Sequence, residues 1–73
     1  MPRKIRQLRK DLIDAGFRIK KGRGKGDHQV YGHPDFPSQS VTLDGQPGDD
    51  AHAYQEREVQ RSIENVRTLR EHE

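Results

Sequence analysis

Apolar residues recur near the start of the chain at helical spacing. Ile5, Leu8, Leu12 and Ile13 fall on one face, Arg3, Arg6, Arg9 and Lys10 flank it, and Gly16 follows Ala15 as a left-handed stop. A first helix is therefore expected from about residue 3 to residue 15. Phe17 and Ile19 then alternate with Arg18 and Lys20, the pattern of a strand with one buried face, and residues 21–27 turn the chain. A second strand is expected from His28 to about His33. Parity groups His28 with Val30 on one of its faces and Gln29, Tyr31 and His33 on the other. Pro34, Phe36 and Pro37 interrupt the alternation and connect to a third strand over Ser40 to Leu43, with Val41 and Leu43 on one face. The run from Asp44 to Asp50 is turn chemistry, and Asp49 or Asp50 can cap a second helix starting near Ala51. That helix carries Val59, Ile63 and Val66 as its apolar line, extended by Tyr54 and Leu69, with charged residues on the other side.

Three antiparallel strands framed by two helices make a single small α+β domain over residues 1–73, because this length leaves no room for a second core. Leu, Ile, Val and Phe supply 14 of the 73 residues, so that core is thin and gains stability from a partner or a homo-oligomer. The absence of cysteine removes disulfides, thiolate nucleophiles and thiolate metal sites, and it fits a reducing cytoplasm. No segment has the apolar run of a signal peptide or a membrane span.

Charge divides the chain. Residues 1–28 carry a net +7 and residues 29–73 a net −5, although the whole is only +2. The basic half suits a polyanion, where each phosphate contact releases counterions, and the acidic half suits a cationic partner or simple solubility. Within the basic half, Gly22, Gly24 and Gly26 allow close backbone approach to a phosphate, Arg23 and Lys25 add charge, and His28 can move protons in both directions near neutrality. The same glycines also suit a plain hairpin turn. Tyr31 is expected to pack in the core rather than stack on a base. His33, before Pro34, reads as a turn residue. His28, His33, Asp35 and His52 have no recognised metal-ligand spacing, and no metal or cofactor is assigned.

The segments "LRKDLIDAGF", "GKGDHQVYGHP" and "REVQRSIENV" occur in the order and spacing of a helix ending in Gly-Phe, a Gly-Ser-His strand and a closing helix. In this the chain resembles the HicA-type (YcfA-like) toxins of toxin–antitoxin pairs, and the likeness covers nearly its whole length. The resemblance implies a double-stranded-RNA-binding-domain-like α-β-β-β-α fold, three antiparallel strands with both helices on one face. It also implies a cytoplasmic, metal-independent endoribonuclease that cleaves mRNA and is silenced by a HicB-type antitoxin. The family's essential histidine falls on His28, and its RNA-facing basic surface on Lys20, Lys21, Arg23 and Lys25. Asp27 stands where the family has a serine, and the acidic stretch from Asp44 to Glu58 replaces a basic one. Two other classes fit the residues alone: a noncatalytic RNA-binding module that recognises A-form shape, and an interaction protein whose acidic half holds a basic partner.

Overall fold

The computed structural model describes residues 3–20 and 29–72. Its elements run α1 (Ile5–Asp14), β1 (Arg18–Ile19), β2 (Gln29–Gly32), β3 (Ser40–Leu43) and α2 (Ala53–Glu71), the expected α-β-β-β-α order of a small α+β domain. The sheet is antiparallel in the order β1-β2-β3. Arg18 pairs with Gly32 and Ile19 with Tyr31, while Tyr31 and Gly32 face Val41 and Ser40 across the other ladder. Both helices cover one face of this sheet. Ile5, Leu8 and Leu12 of α1 and Val59 and Val66 of α2 join Phe17, Tyr31, Val41 and Leu43 in a single apolar cluster.

The stop of α1 is a Schellman turn. Gly16 adopts φ 99°, its N–H donates to Ile13 C=O at 3.0 Å, and the Phe17 N–H donates to Leu12 C=O at 2.9 Å. Leu12 and Phe17, the apolar pair that accompanies such a turn, are both fully buried. A side chain at Gly16 would also collide with His33, since a Cβ there would lie 2.7 Å from its Nε2.

The start of α1 differs from expectation, at Ile5 rather than residue 3. Lys4 is the N-cap and offers no capping oxygen. Instead Gln7 Oε1 reaches back to accept from the Lys4 N–H at 2.8 Å. The next two free donors, the Ile5 and Arg6 N–H groups, donate to the carbonyls of Asp49 and Pro47 in the β3–α2 loop. Asp49 and Asp50 therefore do not cap α2. Asp49 accepts from the Gln46 N–H at 2.9 Å, Asp50 pairs with Lys4, and His52 is the N-cap, its own N–H donating to Gln55 Oε1.

The buried line of α2 is Gln55, Val59, Ser62 and Val66, with Ile63 partly buried, while Tyr54 and Leu69 are exposed. Gln55 belongs there because its amide is satisfied at both ends: Oε1 accepts from His52, and Nε2 donates to the Asp44 carbonyl at 3.2 Å. Just before β1, Phe17 is buried as the alternation requires. Ile19 is 45 % exposed, because β1 is an edge strand that the helices do not cover at that end.

Candidate nucleic-acid interface

The alternation that buries Tyr31, Val41 and Leu43 turns the intervening residues to the opposite, open face. Register arranges them in two rows across the sheet. Arg18, Gly32 and Ser40 form the first, and Lys20, Val30 and Thr42 the second, the Lys20 N–H donating to the Val30 carbonyl at 2.8 Å. Each row runs from a cation on the edge strand, across a small or aliphatic residue, to a hydroxyl. Arg18, Lys20, Ser40 and Thr42 are all exposed. Among the described residues, no carboxylate stands in either row.

Lys20 lies flat along this face. Its side chain crosses Gly32 so closely that any Cβ at Gly32 would meet the Lys20 Cε. Arg18 turns one guanidinium nitrogen back to the Phe17 carbonyl at 2.8 Å, leaving its remaining donors to solvent. Beside them a groove of about 290 Å³ continues past Gly32 to Pro34 and Pro37. Lys20 is thus the one sequence-derived RNA-binding residue that the structure describes. His28, Lys21, Arg23 and Lys25 lie outside the described residues. Val30, which the alternation of the sequence groups with His28, belongs to the open face and not to the core.

Tyr31 packs in the core as expected, its ring fully buried and its hydroxyl donating to Gln29 Oε1 at 2.9 Å. Burial pushes that hydroxyl above its ordinary value, and Arg9 pulls it part of the way back. His33 is a core residue rather than a turn residue alone. It is 4 % exposed, edge-on to Phe17 at 5.2 Å and tilted against Phe36 at 5.1 Å. Its hydrogen bonds assign the tautomer: the Asp35 N–H donates to Nδ1 at 3.1 Å, so Nε2 carries the hydrogen and donates to the Ala15 carbonyl at 3.2 Å. Arg70 lies 3.4 Å from that nitrogen, whose hydrogen is already committed, and its guanidinium sits over Phe36 and beside Asp35. His52 is exposed and stacked on Tyr54, and His72 is the C-cap of α2. Among the described residues no three His, Asp or Glu side chains converge as metal ligands do.

The acidic β3–α2 stretch also has an internal task. Asp50 neutralises Lys4 and Asp49 braces its own loop, while Arg3 and Lys10 are paired with Asp11 and Asp14 within the first helical segment. Arg3, Lys4 and Lys10 are therefore balanced locally, whereas Arg18 and Lys20, like Arg6 and Arg9 of α1, have no ion pair with any described residue.

The sequence reading names Lys20 through the family resemblance but does not single out Arg18, Gly32, Ser40 and Thr42. The signal is the same alternation that finds the core, read for the residues it leaves outside. No helix among the described residues is long and apolar enough to cross a membrane. No protein-family model matches the chain, and neither a curated protein nor a solved structure matches it.

Proposed function

We propose that this chain is a HicA-type mRNA interferase toxin of the double-stranded-RNA-binding-domain-like fold, acting in the cytoplasm and silenced by a HicB-type antitoxin. The observation that supports it most is the placement of Lys20 and Val30. They are backbone partners on a face whose two rows hold no carboxylate among the described residues, and they flank residues 21–28 with their Gly-Lys-Gly-Asp-His sequence.

RNA supplies its own nucleophile. His28 takes the proton from a ribose 2′-hydroxyl, the 2′-oxygen attacks the adjacent phosphorus, and the bond to the 5′-oxygen breaks. The leaving 5′-oxygen takes a proton from the imidazolium or from water, and the cut strand ends in a 2′,3′-cyclic phosphate. Lys20, Lys21, Arg23 and Lys25 neutralise the charge that gathers on the phosphate oxygens. An antitoxin that laid carboxylates on these cations would stop the reaction by occlusion.

Cleavage of mRNA by the purified chain in a chelating buffer tests this reading, with His28→Ala expected to slow it by about 10² to 10⁴-fold. Equal cleavage by parent and variant would end the assignment. RNA retention with no cleavage by either would select the noncatalytic RNA-binding module instead.

A further inference from the structure

We infer that the open face of the sheet is a track for the sugar–phosphate backbone of single-stranded RNA, running along the rows Arg18–Gly32–Ser40 and Lys20–Val30–Thr42. This inference rests on the proposed RNA substrate and extends the site from the glycine-rich segment to all three strands.

Charge complementarity carries the argument. Arg18 and Lys20 are the ionisable residues of the two rows, both are cations without a carboxylate partner among the described residues, and both stand on the same edge of the sheet. Ser40 and Thr42, on the far strand, add hydroxyls that can donate to phosphate or ribose oxygens. Neighbouring strands lie about 4.8 Å apart, so each row spans roughly 10 Å from cation to hydroxyl. That is the width of one strand of nucleic acid rather than of a duplex. Gly32 keeps the middle of the face low, and Lys20 resting across it is a flexible arm that can lift to meet a phosphate. The rows contain no aromatic ring, so bases are not stacked there as on sheet platforms that read sequence. Recognition by this face is therefore backbone-directed and tolerant of sequence.

The test is binding of the full chain to a short single-stranded oligouridylate with 2′-O-methyl riboses, which cannot supply the nucleophile and stays intact, measured by fluorescence anisotropy over a salt series. Arg18→Gln with Lys20→Gln is expected to lower the slope of log affinity against log salt by about 1.4, since each phosphate neutralised on a single strand accounts for roughly 0.7. Gly32→Glu, which sets a carboxylate in the middle of the first row, is expected to weaken binding as well. Circular dichroism confirms that each variant is folded. Folded double-variant protein with the parental slope would overturn the inference, as would tighter binding of an RNA duplex with that slope unchanged. Failure of the parent to bind either RNA would overturn this inference and the proposed function together. Loss of binding in the double variant, with cleavage unaffected by His28→Ala, would uphold the track and remove only the catalytic assignment.

Discussion

On the helix side of the sheet, Tyr31, Val41 and Leu43 are between 0 % and 3 % exposed and meet both helices, whereas on the other side Arg18, Lys20, Ser40 and Thr42 stand in solvent. The same three strands supply both sets, one residue apart. On β2 and β3 the core and the exposed face are therefore separated by alternation rather than by position along the chain. A substitution at Tyr31, Val41 or Leu43 is expected to act on folding, and one at Lys20, Ser40 or Thr42 on the exposed face alone.

The largest effect should come from breaking the covered side. Phe17→Ala removes a fully buried ring that packs on Leu12 and His33, and a loss of about 3–5 kcal/mol is expected in urea unfolding. For a domain of this size that is most of its stability. Gln55→Ala leaves the His52 N–H and the Asp44 carbonyl without their amide partner and should cost about 1–3 kcal/mol. Gly16→Ala should cost roughly 1–2 kcal/mol from its left-handed backbone, with the approach to His33 adding to it. Gly48→Ala, which meets nothing within 4 Å, is the control expected to stay within about 0.5 kcal/mol of the parent.

A smaller effect sharpens the contrast through pH. Because burial raises the Tyr31 hydroxyl, the unfolded chain loses that proton first as pH climbs above about 10. The contribution is complete below that pH and declines as pH rises through the higher folded-state value. Tyr31→Phe should therefore lose less stability than the parent between neutral and strongly alkaline pH, as read by thermal unfolding. The smallest change is expected on the open side. Lys20→Gln should leave the melting temperature nearly unchanged, within about 0.5 kcal/mol, while altering RNA binding. A marked destabilisation by Lys20→Gln would break the separation of the two faces.

The legible parts of the fold are those in which a single residue type forces a conformation. Gly16 stops α1 because its backbone is left-handed, and Ser40 to Leu43 reads as a strand because Val41 and Leu43 alternate cleanly between turn segments. The illegible parts involve polar atoms satisfied at a distance. Hydropathy assigns Tyr54 and Leu69 to the buried line of α2, but Gln55 and Ser62 take it, since a hydrogen-bonded amide can enter a core that sequence scoring closes to it. His33 reads locally as a turn residue because its partners, Ala15, Phe17 and Phe36, come from separate parts of the chain. Of the candidate site, Lys20 is named through the family resemblance, while the two rows need the register of all three strands, which no local pattern specifies.

The dependence of α1 on the β3–α2 loop fixes an order of events during synthesis. The opening turn of that helix rests on carbonyls of Pro47 and Asp49 and on the Lys4–Asp50 pair, 46 residues downstream. During synthesis α1 is made before the loop that completes its opening turn. A nascent chain halted before residue 47 has a helix with no ceiling over its first donors, so α1 is completed only after the β3–α2 loop has been made.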